Sequence, residues 1–126
     1  MAYDFYMPAR VVGGEGVVLA QSALLSRFGK KCVIVTGGTG AVKSGALADT
    51  EKALVKENIE YKIYNKIGEN PLVTSCREAG LIASDFGADF LVGIGGGSAL
   101  DAVKAAAVFA ANPDLGAEDV YAMDYK

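Results

Sequence analysis

Three consecutive glycines end one apolar run and open an alanine-rich one, in the stretch Asp89-Phe90-Leu91-Val92-Gly93-Ile94-Gly95-Gly96-Gly97-Ser98-Ala99-Leu100-Asp101-Ala102-Val103-Lys104. Glycines between a strand and a helix let the backbone turn sharply and let a bulky anion approach the N–H groups, while the helix N-terminus adds partial positive charge. The chemistry this offers is the cradling of a phosphate. Ser98-Ala99-Leu100-Asp101 also has the spacing of a capping box, with Ser98 at the N-cap and Asp101 reaching back. Capping explains those two residues but not three glycines. One suffices for a turn, and each further one costs roughly 0.5 to 1 kcal/mol in chain entropy. Gly93-x-Gly95-x-x-Ser98 lacks the last glycine of the usual dinucleotide fingerprint, so this is not an ordinary first turn of that kind.

A second cluster, Gly37-Gly38-Thr39-Gly40-Ala41-Val42-Lys43-Ser44, nearly spells the phosphate loop of nucleotide hydrolases. Val42 stands where that motif needs glycine, and a β-branched residue is poorly suited to wrapping N–H groups around phosphate. Triphosphate hydrolysis is therefore disfavoured, and the glycine spacing of short-chain dehydrogenases fails as well. A second cofactor contact and a plain turn both remain open for this cluster. Asn70-Pro71 sets a loop conformation and gains interest only beside the other two loops. Histidine is absent, which removes the commonest metal ligand and general base. Cys32 and Cys76 make no disulfide framework and read as buried, reduced thiols.

These loops need elements to position them. Phe5 to Val12 reads as a strand ending in a turn or hairpin at Gly13-Gly14-Glu15-Gly16, and Pro8 argues for an edge position. Leu19, Ala23, Leu24 and Phe28 predict a helix over about 17 to 28, stopped by Gly29. Cys32 to Thr36 is a short apolar run of the kind buried on both faces of a parallel sheet. Leu47, Leu54 and Val55 mark a helix ending near Glu57. Glu60 to Tyr64 reads as a strand, 72 to 85 as a helix, Phe90 to Gly93 as a strand and Ser98 to about Ala111 as a helix. This alternation predicts an α/β fold with a mostly parallel sheet and flanking helices. In such folds ligands bind beyond the carboxyl ends of the strands, where both glycine clusters fall.

The length of 126 residues predicts one domain, and 52% hydrophobic with 21% charged residues is a globular composition. A net charge of −3 and scattered lysines argue against a nucleic-acid partner. The first ten residues carry an acid and no apolar core, and no uncharged run approaches the length of a membrane span. The expectation is an unexported, cytoplasmic protein without a membrane partner.

Taken in order, Phe5-Tyr6-Met7-Pro8-Ala9-Arg10-Val11-Val12, Val33-Ile34-Val35-Thr36, Glu69-Asn70-Pro71 and Gly95-Gly96-Gly97-Ser98-x-x-Asp101-x-x-Lys104 resemble iron-dependent alcohol dehydrogenases, and Asn112-Pro113 and Asp124-Tyr125 resemble the segment that follows. The resemblance covers nearly the whole chain. It implies that residues 1–126 are the dinucleotide-binding half of a dehydroquinate synthase-like fold, the helical metal-binding domain being absent from the chain. It further implies that Gly96, Gly97 and Ser98 meet the pyrophosphate, with Gly95 beside them in the cofactor site, that Asp101 sits near the nicotinamide end, and that Asn70 lines the same crevice. Gly37 stands where NAD-preferring members often carry aspartate, and Gly37-Gly38-Thr39 looks more like members that accept NADP, with NAD the other choice. The family holds Fe2+ or another divalent metal through an aspartate and histidines of its helical domain. Without that domain the chain is expected to bind a nicotinamide dinucleotide and to turn over no alcohol or aldehyde. The competing expectation is a stand-alone, non-catalytic nucleotide-binding or interaction module. An uncovered sheet edge and a missing partner domain favour a homo-oligomer.

Overall fold

The computed structural model describes residues 9–37, 40–68 and 73–116. The apolar run at Cys32 becomes β1 (Lys31–Thr36), the middle of a three-stranded parallel sheet. On one side β2 (Glu60–Tyr64) pairs from Lys31↔Glu60 to Val35↔Tyr64, and on the other β3 (Phe90–Ile94) pairs from Cys32↔Phe90 to Thr36↔Ile94. The central place accounts for the composition of β1: Cys32, Val33, Ile34 and Val35 are all 0% exposed, whereas β3 is half-buried throughout.

Alternation along β1 divides the core between two faces. Cys32 and Ile34 pack with Leu54 of α3 (Ala46–Lys56) and with Ile59. Val33 and Val35 pack with Cys76, Ala79 and Ala83 of α4 (Val73–Phe86) and with Ala102, Ala106 and Phe109 of α5 (Gly97–Ala111). The result is a parallel sheet covered by helices on both faces, as the alternating pattern predicts. It also puts the two thiols on opposite faces, both buried and both free. Close approach is enforced by missing side chains. A Cβ on Gly80 would lie 2.6 Å from the Ala106 carbonyl oxygen, and one on Gly93 would lie 2.7 Å from Val103 Cγ1.

Three expectations need correction. The helix over 17 to 28 is a short α1 (Val17–Ala20) followed by a 3-10 segment, Ser22–Arg27. Gln21, at φ −110° and ψ 24°, breaks the α-helix, and the tighter turn serves two anchors. Ser22 is buried and donates to Glu57 Oε2 at 3.1 Å, while Leu25 packs on the Cys32 and Ile34 face. In the predicted N-terminal strand, Ala9 to Val12 are exposed and unpaired with the sheet, with Val11 87% exposed, and residues 1–8 lie outside the described residues. An apolar, β-branched run becomes a strand only where another strand receives it. The capping box also fails: α5 is capped by Gly96 with no side-chain bond, and Ser98 is its second residue. Among the described residues no helix is long and apolar enough to cross a membrane.

Candidate functional site

The chain leaves β1 toward the face covered by α3 and leaves β3 into α5 on the opposite face, so the carboxyl ends of these strands part. Such a switch point is where open α/β sheets take their ligands. The structure has a cleft of about 770 Å³ there. After β1 it is walled by Gly37 and by Gly40, Ala41 and Ser44 of α2 (Gly40–Lys43) and the turn beyond, with Ala46 at the start of α3. After β2 come Ile67 and Gly68, and after β3 come Ile94 to Ala99. Thr36, 2% exposed, ties the two diverging strands by donating its hydroxyl to the Ile94 carbonyl oxygen at 2.9 Å.

The three glycines have different reasons to be glycine. Gly95 turns the chain at φ +143°, and a Cβ there would lie 2.8 Å from that of Ala99. Gly96 is extended, and at both Gly96 and Gly97 a Cβ would meet nothing within 4 Å. Packing and backbone conformation therefore explain one glycine and leave two facing open space. That space lies at the N-terminus of a 15-residue helix, whose first N–H groups fall outside the helix's own hydrogen-bond ladder. The first bond of that ladder runs from Leu100 N–H to the Gly96 carbonyl oxygen at 3.1 Å. Partial positive charge and small residues at one mouth make an anion seat.

Of the residues singled out in the sequence, Gly37, Gly95, Gly96, Gly97 and Ser98 come together in this cleft. Asp101 does not: it is exposed on α5, three residues past Ser98 and off the cleft wall. Gly38, Thr39 and Asn70 lie outside the described residues. Sequence reasoning missed Ile67 and Gly68, which carry no motif and reach the cleft because the chain doubles back after β2. Ile67 N–H donates to the Thr36 carbonyl oxygen at 3.5 Å, and Lys66 forms an antiparallel bridge with Gly37. A Cβ on Gly37 would land on the carbonyl oxygen of Ile67.

No charged side chain lines the described walls. The titrations that the fold perturbs lie elsewhere. Burial pushes the Cys32 thiol up to about 11 and raises that of Cys76. Tyr64 is raised by burial first and then by Glu78, whose Oε2 accepts its hydroxyl at 3.0 Å. Among the described residues no three acids, cysteines or histidines are grouped to hold a metal ion, and the chain has no histidine at all. The described walls, with small residues and a helix N-terminus, suit an anionic ligand, and the described residues offer no set of ligands for a metal.

The family model for iron-containing alcohol dehydrogenase matches residues 8–126. The sulfoacetaldehyde reductase of Bilophila wadsworthia is 37% identical over 113 residues, covering 89% of this chain and 29% of its own length. The long-chain primary alcohol dehydrogenase of Thermoanaerobacter ethanolicus is 37% identical over 99 residues, 78% of this chain and 25% of its own. A solved iron-containing alcohol dehydrogenase superposes with a TM-score of 0.91 at 35% identity, covering 98% of this chain and 34% of that one. The chain thus spans about a quarter to a third of the relatives it matches.

Proposed function

The chain belongs to the iron-containing alcohol dehydrogenase family, and from that premise we propose that residues 1–126 form a dinucleotide-binding domain, with its cofactor in the cleft at the ends of β1 and β3. One observation carries the reading. Gly96 and Gly97 open onto empty space at the mouth of α5, where the fold itself asks for neither. In this reading the pyrophosphate rests at Gly96, Gly97 and Ser98, within reach of the first turn's N–H groups, and the Thr36 to Ile94 bond keeps both glycine loops at one mouth. When bound, the nicotinamide ring supplies a hydride donor or acceptor for an alcohol or aldehyde. Gly38, Thr39, Asn70 and Asp101 keep their proposed cofactor roles on the resemblance alone.

The proposed cofactor is NADP rather than NAD. A carboxylate in the place of Gly37 would bond the ribose hydroxyls and repel a 2′-phosphate. The Ile67 carbonyl oxygen leaves no room for such a side chain. Binding and orienting the dinucleotide is what these residues do. The family's metal chemistry finds no ligand set among the described residues, and the chain has no histidine, so the 126 residues by themselves are proposed to bind cofactor without turnover. Two free, buried thiols suit a reducing, cytoplasmic setting. The unpaired outer edges of β2 and β3 among the described residues suit self-association.

Titration of the purified chain with NADPH and NADH, followed by nicotinamide fluorescence, tests the site. Saturable binding is expected, tighter for NADPH. Gly97→Val should weaken both by at least about tenfold while leaving the far-ultraviolet dichroism unchanged, because its side chain enters the cleft and not the core. No saturable binding of either cofactor, or unchanged affinity in Gly97→Val, would refute the site.

A further inference from the structure

The described cleft walls carry no charge, so any charge that meets a second phosphate must reach in from the rim. The loop that returns after β2 sets a cation next in sequence to a residue of the wall. Lys66 is exposed, forms the antiparallel bridge with Gly37, and directly precedes Ile67, which is 4% exposed and lines the wall. The same return sets the Ile67 carbonyl oxygen against Gly37. Residue 37 is therefore closed to any side chain, while its bridge partner has a long one.

We propose that Lys66 reads the ribose of the adenosine half, its ammonium pairing with a 2′-phosphate. The preference for a phosphorylated dinucleotide then comes from the loop after β2, and Gly37 only leaves room for it. This rests on the reading of the cleft as a dinucleotide site. An ammonium suits the task because it is a compact charge on a flexible stem with three donors, able to meet a phosphate without a fixed fork of bonds. A ribose lacking the phosphate offers it only neutral hydroxyls, so the gain is selective. Lys43, exposed and next in sequence to the lining residue Ser44, is a second cation near this wall among the described residues, and it ends α2 one element away from the bridge.

Fluorescence titrations of the wild-type chain, Lys66→Ala, Lys66→Arg and Lys43→Ala with NADPH and with NADH separate the possibilities. Lys66→Ala is expected to weaken NADPH about tenfold and NADH less than about twofold, and Lys66→Arg to restore most of the loss. Lys43→Ala should leave the ratio of the two affinities within about twofold. Equal loss for both cofactors in Lys66→Ala, no loss for either, or a collapse of the ratio in Lys43→Ala alone overturns the role of Lys66 while retained NADH binding upholds the cleft. A wild-type chain that binds neither cofactor overturns both.

Discussion

Gly80, Gly93, Gly96 and Gly97 are one residue type under different constraints, and the difference lies in what a methyl group would touch. At Gly93 it would meet Val103, and at Gly96 and Gly97 it would meet nothing within 4 Å. A turn needs one residue like Gly95, with its positive φ, so the excess glycines carry the proposed site, and that excess is legible in the sequence. The fate of Ser98 is not. Its spacing to Asp101 fits a capping box, but the helix starts at Gly97 and Gly96, two residues before Ser98, takes the cap. Cys32 shows the opposite case, a potentially reactive residue made inert by position. Burial holds its thiol at about 11 against an ordinary 9.0. A raised value means that the folded chain keeps a proton the unfolded chain releases. Stability from this group is full below pH 9.0 and falls as the pH rises toward about 11. At pH 8 neither thiol of the folded chain should react with an aromatic disulfide reagent, and two equivalents should react after guanidinium unfolding. Fast reaction of either thiol in the folded chain would contradict the buried placement.

Among the elements, α3, α4 and α5 follow their apolar spacing closely, because each lays one face on a sheet that β1 fills from both sides. The segment after Val17 does not, since its turns answer to distant partners, Glu57 for Ser22 and the Cys32 face for Leu25. No helical periodicity encodes a 3-10 segment of that kind. The pairing of α4 with α5 depends on small residues facing each other, with Gly80 set against Ala106 and Phe109. Gly80→Val should lower stability by about 3 kcal/mol or more, because the nearest obstacles include backbone atoms that cannot rotate away. Guanidinium denaturation of this variant beside Gly97→Val measures the difference. A midpoint for Gly80→Val equal to that of the parent would show that the two helices sit further apart.

For the whole molecule, the cleft is a non-local object, built from the ends of three strands. The sequence marks two of its three loops by glycine content. The third is marked by Asn70-Pro71, but the backbone reversal that brings Ile67 and Gly68 to the wall and the bridge from Lys66 to Gly37 are announced by no residue type. This is also why Asp101, conspicuous in sequence, stands off the cleft wall while Ile67 lines it. The central claim is that one cleft at the switch point receives the dinucleotide, and amide chemical shifts of the isotopically labelled chain test it most directly. Adding NADPH should shift the amides of Gly95 to Ala99, of Gly37, Gly40 and Ala41, and of Ile67 and Gly68 together, with one saturation curve, while those of α4 stay in place. Shifts confined to another face of the sheet, or no saturable shift at Gly96 and Gly97, would contradict it.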